Sequence, residues 1–199
     1  MRQETIKIYS INDLDGSAYT KAIEKVAAIL SEDFDLHGDI AAMFTRWCNI
    51  IGIYNLEWGW RGFWSQGDGA HFTGRYYYER GWRKVLLEYE GLSETMDEFL
   101  AIAERLQDVQ RRNFYSIDCD ITHRGFYQHE LCARVDVSSS LERDVSDEDE
   151  SEVVECMRDI MRLFYRTLEK EYEFITSEES ALEYIEANDI EFYESGEIY

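Results

Sequence analysis

The chain has 199 residues, 45% of them hydrophobic and 15% aromatic, which is enough apolar surface for a folded core and argues against wholesale disorder. A formal net charge of −22 repels nucleic-acid phosphates and argues against direct DNA or RNA binding. The apolar runs break within a few residues, so no membrane span is expected, and MRQETIKIYS lacks the apolar stretch of a secretory signal.

The early stretch TIKIYSI alternates and predicts a strand. Asp15 or Ser17 can cap a helix running to about Leu30, with Ala22, Ile23, Val26, Ala27 and Leu30 at helical spacing. DLHGDI is a break, and a second helix is expected over 39–50 with Ile40, Met43, Phe44 and Trp47 on one face. Residues 53–79 then turn aromatic and β-favouring.

Within them, GFWSQGDGAHFTG (62–74) reads as two strand arms around an SQGDG turn. Centring the turn on Gly67 and Asp68 pairs Phe63 with Phe72, Trp64 with His71, Trp60 with Arg75 and Trp58 with Tyr77. A phosphate-binding loop would need a helix directly after the glycines, whereas a strand follows, and no GKS or GKT occurs. The glycines are therefore expected to serve turn geometry.

A helix from Ser93 to Arg112 buries Phe99, Ile102, Ala103, Leu106 and Val109. NFYSIDCDITH and FYQHELCARVDV follow as a second hairpin. Matching their apolar faces selects a three-residue loop, Arg124 to Phe126, which sets Ile121 opposite His129 and Cys119 opposite Leu131. SSSLERDVSDEDESE is a polar connector into a strong amphipathic helix over about 150–173, with Val153, Met157, Ile160, Met161, Phe164 and Leu168 as its stripe. A short helix near 177–188 and an acidic tail, EFYESGEIY, end the chain. The expected class is α+β: an antiparallel sheet built from two hairpins and covered by amphipathic helices. The expected organisation is an α+β core over 1–140 and an acidic helical part over 141–199 packed on it.

Five sets of residues carry candidate chemistry. Asp68, His71, His123 and His129 are the best catalytic or metal set, with His123 and His129 on one face of their hairpin. Their spacing has none of the specificity of a metalloprotease signature, and structural histidines are the competing reading. No cofactor motif is legible, so no cofactor is expected and enzymatic activity is the lesser expectation. Cys48, Cys119, Cys132 and Cys156 are scattered without a CxxC and read as reduced cytosolic thiols.

Arg158, Arg162, Arg166 and Lys170 recur every four residues and are expected to pair with Glu155, Asp159, Glu169 and Glu173. Arg105, Arg111 and Arg112 read as a solvated cluster. Finally, residues 141–199 hold 20 acidic and 5 basic residues, a net of −15 out of −22. Asp147, Glu148, Asp149, Glu150, Glu178, Glu179, Glu183 and Glu186 are the candidate partner-binding carboxylates of that region.

At GFWSQGDGAHFTG, AERLQDVQRRNFY and ITHRGFYQHELC the chain resembles a family of small phage and prophage proteins without an assigned activity, over roughly Glu57 to Val137. The resemblance implies a phage accessory protein acting in the bacterial cytoplasm, and carries no catalytic residue with it. With the charge, it suggests an acidic inhibitor that binds a basic, nucleic-acid-binding host defence protein, such as a nucleic-acid-guided defence complex, as a nucleic-acid mimic. The alternatives are a small metal- or nucleotide-dependent enzyme or ligand-binding protein using the histidine set, and an antitoxin-like partner of a toxin.

Overall fold

The structure, a computed structural model, describes residues 6–33, 36–88 and 94–199. Contacts group these into two units, Met1–Leu36 with Lys170–Tyr199, and His37–Glu169. The grouping does not follow the expected boundary at residue 140, because most of the long acidic helix belongs to the core of the larger unit.

The larger unit holds one four-stranded antiparallel sheet in the order β1-β2-β3-β4: Ile53–Arg61, Gly69–Tyr76, Ile117–His123 and Ala133–Ser139. Helices α2 (Leu36–Ile51), α3 (Trp82–Leu87), α4 (Glu94–Arg112) and most of α5 (Asp147–Ile175) complete it. Ser93, expected to cap α4, lies outside the described residues, as does part of the DLHGDI break. The short helix α3 was not anticipated, since WRKVLL is too brief to show a period.

The core forms where these elements bring aromatic rings together. Phe164 of α5 stacks on Trp58 of β1 at 4.1 Å and meets Phe44 of α2 edge-on at 5.3 Å. Trp58 packs on Phe72 across the β1–β2 pair, and its indole N–H donates to Thr45 Oγ1 at 2.9 Å. Val153, Met157, Ile160, Met161 and Leu168 are buried along the same helical stripe, as their spacing requires.

Both hairpins exist, and both registers differ from expectation. β1 pairs with β2 as Trp58↔Phe72, Gly59↔His71, Trp60↔Ala70 and Arg61↔Gly69, so Phe63 and Trp64 lie in a wide loop rather than in a strand. Asp68 closes that loop: its carboxylate accepts the backbone N–H groups of Trp64 and Ser65. In the second hairpin Cys119 faces Val137 and Ile121 faces Val135. The connection there runs from 124 to 132 and ends in a 3-10 turn, Glu130–Cys132. β2 and β3 also pair directly through Gly74↔Ile121, Arg75↔Asp120 and Tyr76↔Cys119. The two hairpins thus merge into one sheet.

Gln110, fully buried near the end of α4, ties that helix to the sheet. Its Oε1 accepts the Ile117 N–H at 3.2 Å, while its Nε2 donates to the Ile117 carbonyl at 2.7 Å and to the Tyr76 hydroxyl at 3.1 Å. The amide acts as a strand partner for the first residue of β3.

In the smaller unit, α1 (Gly16–Asp33) and α6 (Glu178–Ala187) bury Ala22, Val26, Leu30, Ala181 and Ile185 with Ile11 and Phe192. The Asp15 carbonyl accepts the first α1 amides, and Ser177 caps α6 by accepting the Ser180 N–H. The expected TIKIYSI strand reduces to a single bridge, Tyr9↔Phe192, among the described residues. EFYESGEIY is not a loose tail, because Phe192 is fully buried and Glu197 receives both Lys21 and Lys25.

Replacing Gln110 with Ala should lower the free energy of unfolding by about 3 kcal/mol, since two buried backbone groups lose their partner. Tyr76→Phe should cost only about 1 kcal/mol, because the Gln110 amide keeps its Ile117 bonds. Urea denaturation of both variants checks the ranking.

Candidate functional site

The 62–74 segment makes a seat for the 124–132 connection. A Cβ at Gly67 would run into the Tyr127 ring, and Gly67 has φ 91°, which favours glycine on its own. A Cβ on Gly69 would lie 2.8 Å from the Gln128 carbonyl and 3.1 Å from the His129 Cα. The absent side chains let the connection lie against the hairpin, so the glycines serve close approach as well as turning. Trp64, Phe126 and Tyr127 remain exposed around this seat, with the Arg61 guanidinium 4.9 Å from the Phe126 ring centre.

The four candidate chemistry residues fall into two pairs, His71 with His123 and Asp68 with His129. His71 is buried opposite Gly59 and stacks on His123, with ring centres 3.6 Å apart. Its Nδ1 is buried without a hydrogen-bond partner. Burial first, and then the neighbouring His123, push the His71 imidazolium down to about 4. His71 is therefore neutral at physiological pH. His123 Nε2 lies 2.9 Å from the Tyr127 carbonyl and His129 Nδ1 accepts the Leu131 N–H; His123 faces Ala133 in the ladder while His129 sits in the connection before β4, so the two are not diagonal neighbours in a hairpin. Among the described residues no group of three or more His, Cys, Asp or Glu is arranged to hold a metal ion.

Asp68 and His129 instead line a polar crevice of about 450 Å³ with Glu130, Asp159, Arg162, Tyr165 and Arg166. Its charges are matched internally. Arg162 binds Glu130 at 3.1 Å and also Glu155 and Asp159, and Arg166 reaches Glu98 at 2.6 Å. Tyr165 donates to the Gly62 carbonyl at 3.0 Å. On α5, Arg158 pairs with Glu155 and Arg162 with Glu155 and Asp159, as anticipated, whereas Arg162 also meets Glu130 and Arg166 pairs with Glu98, both outside the helix. Of the α4 arginines, Arg111 and Arg112 are exposed as expected, although they pair with Asp108 and Asp149, whereas Arg105 is half-buried and pairs with Glu152 and Asp159. The cysteines offer no nucleophile within the core, where burial drives the Cys48 and Cys119 thiols up and Cys156 to about 12.

The acidic candidates separate into two groups, each within its own unit. Ser146 opens α5 by accepting the Asp149 N–H, so Asp147, Glu148, Asp149 and Glu150 form its first turn, where carboxylates complement the helix dipole. Asp149 faces inward to Arg112 and Asn113. Burial opposes its charge, but the bonds from Asn113 and Arg112 prevail and hold its carboxyl below the usual range. Its carboxylate thus holds a contact within the larger unit. Asp147, Glu148 and Glu150 are exposed, with no hydrogen bond or ion pair from their side chains among the described residues. In the smaller unit Glu178 accepts the Tyr19 hydroxyl at 2.7 Å, while Glu179, Glu183 and Glu186 are exposed and unpaired on the same terms.

A family model described as a domain of unknown function, DUF8835, matches residues 37–178, and the chain belongs to that family. No curated protein and no solved structure matches it. The matched span opens where the larger unit opens and runs past the end of α5, so Asp147, Glu148 and Glu150 fall inside it and Glu179, Glu183 and Glu186 outside.

Two outcomes follow from the seat and the histidine stack. Gly67→Ala should destabilise by about 1–2 kcal/mol, and Asp68→Asn by less, since an Asn oxygen can still accept the loop amides; thermal melts compare them. For His71, the folded value near 4 lies below the ordinary 6.5, so the unfolded chain binds more protons between these limits. Its stabilising contribution is complete above pH 6.5 and declines as pH falls toward 4, by at most about 3 kcal/mol. His71→Phe should flatten that part of the stability profile, measured by urea denaturation at stepped pH.

Proposed function

We propose that this DUF8835 chain is a non-enzymatic, acidic phage protein of the bacterial cytoplasm that binds and inhibits a basic, nucleic-acid-binding host defence protein, competing with nucleic acid for the same surface. One observation carries the reading: Arg158, Arg162 and Arg166 of α5 each hold a carboxylate of the larger unit, whereas Asp147, Glu148 and Glu150 stand exposed with no ion pair from their side chains among the described residues. Each pair cancels one arginine against one carboxylate, and the chain's excess of acidic over basic residues leaves further carboxylates facing outward. Such a surface attracts Arg and Lys over about a Debye length. No helix among the described residues is long and apolar enough to cross a membrane, which accords with action away from the bilayer.

A catalytic or ligand-binding groove built on Asp68, His71, His123 and His129 finds less support. Asp68 is engaged by loop amides and His71 is shut in the stack. An antitoxin-like role would use the same acidic surface and differs only in the partner's identity.

The protein captured with its partner from infected cells should lose affinity as salt rises and when duplex DNA competes. Changing Asp147, Glu148 and Glu150 together to Lys should weaken binding by at least about tenfold; the change also sets cations against the N-terminal end of the α5 dipole and lowers the melting temperature, so affinity is compared below the transition, with circular dichroism checking that the fold persists. Affinity that ignores salt, DNA and the triple reversal would contradict the proposal. Asp149 and Glu178 are best left in place, because each holds a structural contact.

A further inference from the structure

The sequence NFY, which follows α4, forms an aromatic corner beside the acidic start of α5. Phe114 and Tyr115 both adopt left-handed backbone, φ 56° and 61°, which costs on the order of 1 kcal/mol for each side-chain-bearing residue. The corner is nonetheless fixed. The Tyr115 N–H reaches back to the Gln110 carbonyl at 2.7 Å, Asn113 donates to Val109 and Asp149, and the Gln110 amide grips Ile117 just beyond. Both aromatic rings are held outward by this geometry, Phe114 at 69% exposure and Tyr115 at 45%. Tyr78 backs the Tyr115 ring at 4.6 Å.

Two separate observations say what these rings accept. The chain's own Arg143 guanidinium already lies 5.4 Å from the centre of the Phe114 ring, so that face takes a planar cation. The Asn113–Asp149 bond of 2.8 Å places the first turn of α5 beside the corner, bringing unpaired Asp147, Glu148 and Glu150 with it. Aromatic faces close to exposed carboxylates suit a side chain with a flat, delocalised charge and an apolar stem.

We propose that Phe114 and Tyr115, with Asp147, Glu148 and Glu150, form a docking surface for an arginine-bearing protein segment. A partner guanidinium takes the place of Arg143 on the Phe114 ring while the carboxylates bind neighbouring cations. Arginine is preferred to lysine because the guanidinium stacks on a ring and an ammonium is held more tightly by water. This surface locates where the basic partner of the proposed function would dock, and to that extent rests on that reading.

The test titrates the full-length chain into a fluorescein-labelled peptide of alternating Arg and Gly, and into its Lys counterpart of equal charge, by fluorescence anisotropy. The Arg peptide should bind about fivefold more tightly than the Lys peptide. Phe114→Gly and Tyr115→Gly should each reduce Arg-peptide affinity by about fivefold and shrink that preference. Glycine relieves the left-handed backbone, so melting temperatures should hold or rise, which separates lost binding from lost folding. Equal binding of the two peptides, or glycine variants that bind like the unaltered chain, would overturn the proposal. If the Asp147, Glu148 and Glu150 reversal still abolished binding in that case, the basic-partner reading would stand without the aromatic corner. If it did not, both would fall.

Discussion

The Gln110 amide is the bond on which the larger unit's outward chemistry depends. A helix end and a strand start are joined there by a buried side chain that satisfies both backbone groups of Ile117 and reaches Tyr76. Because these groups are shut away from water, leaving any one unmatched would be costly. The three residues between the helix and Ser116 must therefore complete a tight reversal. Phe114 and Tyr115 do so in a backbone conformation that glycine would adopt more easily. Their side chains face solvent as a consequence of how the core is closed.

Charge follows the same logic of inside and outside. The arginines of α4 and α5 are drawn into pairs that bridge elements: Arg105 to Glu152 and Asp159, Arg112 to Asp149, Arg166 to Glu98. Exposed pairs of this kind add little stability one by one. Their larger effect is on which carboxylates are engaged, since the chain's net charge of −22 leaves more carboxylates than these pairs can take up. Asp149 shows how finely the division runs, with an inward structural carboxylate flanked by outward ones on either side.

The pattern of the sequence showed much of this fold. The helical stripes of α4 and α5, the α+β class and both hairpins follow from periodicity, and the buried residues of α5 are those its spacing selects. Register was less legible. In the second hairpin, Ile121 keeps its face but meets Val135 rather than His129, because alternation is preserved by an even shift. In the first, the Asp68 carboxylate closes a loop too wide for a turn centred on Gly67 and Asp68. The reason for Gly69 is still less local: it admits the Gln128 backbone, some sixty residues away in the chain. The acidic run was legible as charge, but its separation into a helix cap, an inward Asp149 and outward neighbours depends on Ser146, Arg112 and Asn113, which only tertiary contact brings together. Burial of Phe192 was hidden by the acidic residues around it.

The central claim is that the basic partner meets the corner formed by the end of α4 and the start of α5. Backbone amide chemical-shift mapping of the labelled chain, titrated with the Arg-Gly peptide, tests this most directly. The prediction is that shifts concentrate at residues 113–116 and 142–150 and leave residues 62–69 and 124–131 unmoved. Shifts confined to the glycine hairpin and the segment seated on it would contradict the claim.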